Sequence, residues 1–163
     1  MKIGRITISD RASTGIYEDR SGPEIERLLS GVFGADTDFV ATVIPDEPAR
    51  ISAALREFAD LRRCHLVITT GGTGIGPRDV TPEATRVVLE KELPGFGEVM
   101  RMQSFARVPT AILSRATAGT RGRTLIVNLP GKPKAVAECL ALLRDAIREG
   151  VAHLSGADPH ARK

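Results

Sequence analysis

Residues 65–82 read HLVITTGGTGIGPRDVTP. The opening HLVIT is short and continuously apolar at its centre, the pattern of a strand covered on both faces in a parallel sheet. It runs without a spacer into Gly71, Gly72, Gly74 and Gly76, then Arg78-Asp79, then Thr81-Pro82. Inside regular structure each glycine costs roughly 0.5–1 kcal/mol relative to alanine. Such a density is tolerated where backbone turns sharply or lies against a ligand. Thr81 offers a helix cap and Pro82 suits a first helical turn, so a strand–loop–helix unit is expected, the helix being PEATRVVLEKE.

The flanking sequence repeats that alternation. IGRITIS (Ile3–Ser9) is strand-like, and the polar loop RASTGIYEDRSG leads to a helix near Pro23–Leu29, with Ser21 and Glu24 at capping-box spacing. DFVATVIP (Asp38–Pro45) is a second strand. A helix is expected from about Pro48 to Arg62, with Ile51, Leu55, Phe58 and Leu61 on one face. Downstream, GFGEVMRMQSFAR reads as helix, and TAILSRAT and RTLIVNLP read as two strands joined across AGTRG. A last helix spans about Pro133 to Glu149, carrying Val136, Leu140, Leu143 and Ile147, and the tail SGADPHARK reads as frayed. Alternating strands and helices give a layered α/β fold with a mainly parallel sheet and one antiparallel strand.

Composition narrows the function classes. The 163 residues are 42% hydrophobic and 26% charged, which fits one globular domain. No apolar stretch approaches the roughly 20 residues of a membrane span, and Met1-Lys2 leads straight into a strand with no signal-peptide pattern. Cys64 and Cys139 lie in apolar surroundings without metal or redox spacing, the usage of reduced, buried thiols in a cytoplasmic protein. The net charge of +3 comes from 23 basic and 20 acidic residues in mixed order, and aromatics make up only 4%. Little is left for stacking on bases, which argues against a nucleic-acid partner.

In open parallel sheets ligands collect at the carboxyl ends of strands. Four such ends carry chemistry: Ser9-Asp10-Arg11, Pro45-Asp46-Glu47, Thr69 to Asp79, and Asn128-Leu129-Pro130-Gly131-Lys132. The glycine loop is no P-loop, because Gly76 is followed by Pro77-Arg78 rather than Lys-Ser/Thr, and its spacing is wrong for a dinucleotide fingerprint. It still supplies N–H groups of the kind that hold phosphate oxygens; alternatively it is a long turn needing positive φ angles. Asp46 caps the helix starting near Pro48 or, together with Asp79, holds magnesium; Asp79 alternatively accepts hydrogen bonds inside its own loop. The three histidines have no zinc spacing, and no nucleophile elbow or catalytic cysteine setting appears. A reaction here relies on positioning, charge neutralisation and a nucleophile carried by the substrate.

ISDRAS, IPDE, TTGGTGIGPRDVTPEAT, LPGFGE, PTAILSR and NLPGKPKAV occur in one order along the chain. Together they resemble the MogA-type molybdopterin adenylyltransferases, within the wider molybdenum-cofactor family that includes MoaB-type proteins. The resemblance runs from Ile3 to about Gly150. It implies a three-layer α/β/α domain over residues 1–163, frayed from about 156, that assembles as a homotrimer. It further implies Mg-ATP-dependent transfer of AMP to the terminal phosphate of molybdopterin, with Mg2+ as cofactor and a molybdenum-insertion protein as a partner. By motif, Asp46 and Asp79 are the essential acidic residues and metal ligands. Thr70, Gly71, Gly72, Thr73 and Gly74 cradle phosphate, with Arg78 beside them. Ser9, Asp10 and Arg11 line the pterin side, while Ser114, Arg115, Asn128, Pro130, Gly131 and Lys132 line the pocket. A MoaB-like paralogue linked to tungsten cofactor and a noncatalytic molybdopterin carrier remain as rival readings.

Overall fold

The structure, a computed structural model, describes residues 1–156. Its centre is a six-stranded sheet built from β1 (Lys2–Ile8), β2 (Asp38–Ile44), β3 (Leu66–Thr70), β4 (Lys91–Glu92), β5 (Ala118–Arg121) and β6 (Thr124–Leu129). The spatial order is β2-β1-β3-β6-β5-β4. The first four are mutually parallel, whereas β5 runs antiparallel to both β6 and β4. Leu66, Val67 and Ile68 are fully buried, and so are Leu125, Ile126 and Val127, because helices cover both faces. Such strands read as unbroken apolar runs rather than as alternation.

Strand pleating sorts these side chains into two cores. Ile3, Leu66, Ile68, Leu125 and Val127 pack with α2 (Ser21–Phe33), α5 (Pro94–Phe105) and α6 (Pro133–Leu154). Ile6, Ile8, Val67 and Ile126 pack on the other face with Ile51 and Leu55 of α3 (Pro48–Arg56) and Ala84 of α4 (Thr81–Arg86). The three-layer architecture follows. Cys64 and Cys139 are both free and buried, one in each core. No helix among the described residues is long and apolar enough to cross a membrane.

Several boundaries differ from the sequence reading, each for a local reason. The helix expected to reach Arg62 keeps α-helical form only to Arg56, then continues as a π-helical turn over Glu57–Leu61. The Arg62 N–H donates to the Glu57 carbonyl (2.9 Å), and the wider turn rotates the following side chains. Phe58 stays buried, but Leu61, placed on the same face by 3.6-residue spacing, is 78% exposed. The helix after Thr81 ends at Arg86, and Lys91–Glu92 is an edge strand. TAILSRAT is not a strand: Pro109–Leu113 forms a 3-10 helix, and AGTR itself is β5, turning at Gly122 (φ +53°) into β6. The short helix α1 (Asp10–Ser13) occupies the start of the expected loop, with Ser9 capping it through a bond from the Ala12 N–H. At the other end α6 runs on to Leu154; the expected frayed tail falls mostly on residues 157–163, outside the described residues.

The π-helical turn gives a direct test of the packing. Leu55→Ala is expected to cost about 2–5 kcal/mol, as large-to-small changes in a filled core do, whereas Leu61→Ser should stay within about 0.5 kcal/mol. Urea unfolding midpoints measure both. Comparable losses at the two positions would put Leu61 back in the core.

Candidate active site

Strand order reverses around β1, since the chain passes from β1 to β2 on one side and then to β3 on the other. That reversal leaves a crevice beyond the carboxyl ends of β1 and β3, where open α/β sheets bind ligands. A cavity of about 240 Å3 lies there. Its walls include Thr7, Ile8 and Ser9 from β1 and its exit, Thr70, Gly71 and Gly72 from β3 and its exit, and the acidic residues Asp19, Asp46 and Asp79.

The glycine loop departs from β3 under tight constraint. Gly71 has φ +101°, and a Cβ there would stand 2.2 Å from the Ile8 backbone carbonyl oxygen. No L-residue fits. The Gly71 carbonyl accepts from Thr81 Oγ1 (2.9 Å), and the Thr81 N–H donates to the Gly72 carbonyl (3.0 Å). Thr81 is therefore the first residue of α4, not its cap, and it holds the glycine turn from the helix side. Farther along, the Gly76 N–H donates to Asp79 Oδ2 (2.8 Å), so the local hydrogen bond expected as an alternative for Asp79 does form.

Asp46 does not cap α3. The cap position belongs to Glu47, without a side-chain bond. Instead Asp46 and Asp10 hold each other: the Asp10 N–H donates to Asp46 Oδ2 (2.8 Å), and the Asp46 N–H donates to Asp10 Oδ1 (2.9 Å). This reciprocal pair fastens the exits of β1 and β2 together. Arg78 closes over it with a two-pronged contact, Nε to Asp10 Oδ2 and Nη2 to Asp10 Oδ1, both 2.9 Å. The Arg78 guanidinium and the Asp46 N–H hold the Asp10 carboxyl below its ordinary value. Asp46 shifts the other way. Burial raises its pKa, the neighbouring Asp10 and Asp79 charges add to the rise, and the Asp10 N–H and Arg78 only partly oppose it.

The Arg78 charge offsets only part of what a charged carboxylate at that position costs. Among the described residues no group of three or more His, Cys, Asp or Glu side chains is set to hold a metal ion. Of the three carboxylates that line the cavity, Asp19 is taken up by Arg5, Thr7 and the Gly22 N–H. The other two, Asp46 and Asp79, match the sparse donor set of magnesium, which takes one or two carboxylates and fills its shell with water and substrate phosphate.

The other motif residues divide into two groups. Thr73, Gly74, Ser114, Pro130, Gly131 and Lys132 line a second cavity of about 350 Å3, closed by Met100, Arg101 and Ser104 of α5. Lys132 precedes α6, is exposed, and has no ion-pair partner among the described residues. Gly131 borders both cavities. Thr70 Oγ1 and Ser21 Oγ donate to the carbonyls of Pro130 (2.7 Å) and Gly131 (2.6 Å), tying this turn to β3 and α2.

Five of the expected pocket residues line neither cavity: Asp10 and Arg78, joined in the clamp beside Asp46, and three that lie elsewhere. Asn128 is fully buried in the sheet, where its Nδ2 donates to Thr69 Oγ1 and Thr85 Oγ1 (3.0 Å each); strand parity turns it toward α4 and away from the cavity. Arg115 lines neither cavity, since its guanidinium is taken up by loop carbonyls and Glu83. Arg11 lies over the Tyr17 ring, 5.5 Å from its centroid, and also lines neither.

Conversely, Asp19 and Tyr17 line the smaller cavity without having been singled out. Asp19 Oδ2 accepts from Arg5 Nη1 and Thr7 Oγ1 (2.8 Å each), while its Oδ1 accepts from the Gly22 N–H (2.9 Å). The cap position of α2 is Arg20, without a side-chain bond; Asp19, one residue earlier, takes up the Gly22 N–H of the first turn and docks the helix on β1. That acceptor three residues ahead of Gly22 was present in the sequence but hidden by the stronger-looking Ser-x-x-Glu spacing.

A family model described as a probable molybdopterin binding domain matches residues 4–149. The chain belongs to that family. It is 52% identical over 145 residues to a molybdopterin adenylyltransferase of Helicobacter pylori, covering 89% of this chain and 82% of that one. Identity to the molybdopterin adenylyltransferase of Escherichia coli K12 is 48% over 153 residues, with 94% and 78% covered. Among solved structures, the molybdopterin biosynthesis enzyme MoaB from Thermus thermophilus superposes with a TM-score of 0.87 at 40% identity, covering 95% of this chain and 96% of that one. The tungsten cofactor synthesizing protein MoaB from Pyrococcus furiosus gives 0.82 at 36%, with 94% and 96% covered.

The raised pKa of Asp46 has a signed consequence for stability. A folded-state value above the ordinary 3.8 means that the native protein binds this proton more tightly than the unfolded chain does. The associated stability is present at acid pH and lost as pH rises through the folded value. Asp46→Asn keeps an oxygen for the Asp10 N–H while removing the charge. Its thermal midpoint should exceed that of the wild type near neutral pH, with the gap closing as pH falls into the ordinary carboxylate range. A lower midpoint near neutrality would mean that the Asp46 charge stabilises the fold.

Proposed function

We infer that the chain is a molybdopterin adenylyltransferase acting in molybdenum cofactor biosynthesis. Identity of 48–52% over most of the chain to proteins bearing that name supports the activity. The observation that carries the site is the pairing of Asp46 and Asp79 beside glycine N–H groups in one crevice at the strand-order reversal.

In the proposed reaction the terminal phosphate of molybdopterin attacks the α-phosphorus of ATP, forming the AMP adduct and releasing pyrophosphate. The attacking atom belongs to the substrate, in keeping with the thiols available. Burial raises the pKa of Cys64, and it pushes Cys139, which borders the larger cavity, up to about 11. Neither is a thiolate at neutral pH. What the chain supplies is position and charge. Backbone N–H groups of Gly72, Thr73 and Gly74 bind phosphate oxygens; Lys132 supplies a cationic partner; Arg78 holds Asp10, and Asp10 in turn fixes the carboxylate of Asp46.

Asp46 and Asp79 would hold magnesium, which supplies charge neutralisation between two anionic reactants and polarises the phosphoryl oxygens. Without a cation, two carboxylates would repel a triphosphate, and an exposed N–H cluster offsets only about 0.3–1 kcal/mol per site. The reading extends to a homotrimer in the cytoplasm, for which the exposed apolar side chains Met102, Phe105 and Ile112 offer a contact face.

Incubating the protein with molybdopterin and Mg-ATP should release pyrophosphate and yield a product heavier by one AMP residue, detected by mass. Asp79→Asn should lower the rate at least about 100-fold, the scale of losing one preorganised electrostatic group, with the circular dichroism spectrum unchanged. Tight molybdopterin binding without adduct would favour a carrier; wild-type turnover in Asp79→Asn would remove that residue from the chemistry.

A further inference from the structure

Arg115 follows the 3-10 helix and sits behind the glycine loop, outside both cavities. Its Nε donates to the Gly74 carbonyl (2.7 Å) and its Nη2 to the Asp79 carbonyl (2.6 Å). Its Nη1 pairs with Glu83 on α4, and its own N–H donates to the Thr73 carbonyl (2.8 Å). One residue thereby takes up three carbonyls of a loop that otherwise has few internal bonds. We propose that Arg115 is a positioning residue: it holds the Thr73–Asp79 loop from behind, so that the loop N–H groups and the Asp79 carboxylate are presented to phosphate.

A loop that binds an anion with its N–H groups leaves its carbonyls facing elsewhere. Those carbonyls need donors, and a buried polar group without one costs about 1–3 kcal/mol. A guanidinium meets this requirement because its rigid planar fork reaches two acceptors at once. Here the two acceptors are the carbonyls at the loop's beginning and end, so the contact also fixes the distance between Gly74 and Asp79. An ammonium has neither the planar fork nor the span.

Glu83 completes the device. It is about half exposed, and an ion pair so exposed contributes little to stability on its own. Its effect is on orientation: the pair anchors Arg115 to α4, the helix whose Thr81 already holds Gly71. Both ends of the loop are then referred to one helix. Motif resemblance had placed Arg115 in the pocket as a substrate ligand, but its donors to that side are already committed.

The inference rests on the proposed adenylyl transfer for its kinetic arm and stands apart from it in its structural arm. Arg115→Lys, Arg115→Gln and Glu83→Gln are compared with the wild type by amide hydrogen exchange of the segment 73–79 in ligand-free protein, and by adduct formation over a range of Mg-ATP. All three variants should exchange faster in that segment, with the rest of the sheet unchanged. KM for ATP should rise at least about tenfold in both Arg115 variants, Lys being no better than Gln, because misplacement of a positioning group by about 1 Å costs on the order of 100-fold in rate. Glu83→Gln should move both readouts in the same direction by less.

A lysine variant close to wild type would make Arg115 a charge contact to substrate. Improved ATP binding in Glu83→Gln, from a freed guanidinium, would say the same. Unchanged exchange in the segment would remove the positioning role outright. Should the wild type form no adduct, the exchange arm still decides for or against the brace while the adenylyl-transfer reading fails by itself. Glu83→Gln, at an exposed position, keeps the test open if an Arg115 variant does not fold.

Discussion

The alignment of β1, β3 and β6 at their carboxyl ends is the constraint from which the rest of the site follows. Ile8 pairs with Ile44, Thr7 with Thr70, and Thr70 with Leu129, so four parallel strands stop at nearly one level. At that level the ladder bonds run out, and each departing segment must satisfy its backbone by other means. Thr81 serves Gly71, Thr70 serves Pro130, Ser21 serves Gly131, and Asp10 and Asp46 serve each other. The crevice is what remains between segments tied down in this way. Its shape is thus set by a few side chains at the strand ends and on the helices that follow them.

Satisfying carbonyls from outside the crevice has an electrostatic result inside it. Carbonyls of Gly71, Gly72, Thr73, Gly74 and Asp79 all have donors on α4 or Arg115. The N–H groups of Gly72, Thr73 and Gly74 donate to no backbone acceptor among the described residues, which leaves them for an anion. The same crevice holds Asp46 and Asp79, which repel anions. These opposed tendencies do not cancel into indifference. On the proposed reading they suit a ligand that arrives as an anion with its counter-cation, which is the form in which nucleotides present their phosphates to oxygen-donor sites.

The sequence disclosed what depends on short-range pattern. HLVIT is apolar on both faces, so its covered place in a parallel sheet was legible, as were RTLIVNLP as a strand and the turn at Gly71–Gly76. The parts that misled depend on geometry that pattern does not encode. Helical spacing carried Leu61 into the core because nothing local announces a π-helical turn. AGTR looked like a turn because Gly119 weakens the strand signal, although the true turn is at Gly122. Ser21 carried a capping-box spacing, yet Asp19 bonds Arg5, Thr7 and the Gly22 N–H across 12 to 14 residues of separation for its longest contacts. For the site, composition pointed to Asp46, Asp79 and the glycines, while parity along β6 put Asn128 away from them.

Arg115 marks the limit of motif reasoning most clearly. Its presence in a shared motif is compatible with touching substrate and with holding what touches substrate, and sequence has no term that separates the two. Donor counting does. A guanidinium has five N–H donors, and three nitrogens here are already spent on two carbonyls and a carboxylate. The remaining two N–H groups sit on a guanidinium that lines neither cavity, so to reach a phosphate there Arg115 would have to leave these partners, loosening the surface that phosphate binds. Lys132 faces no such conflict, having no ion-pair partner among the described residues, and it borders the larger cavity. Direct neutralisation therefore falls to groups whose donors are uncommitted, and arrangement falls to those already bound.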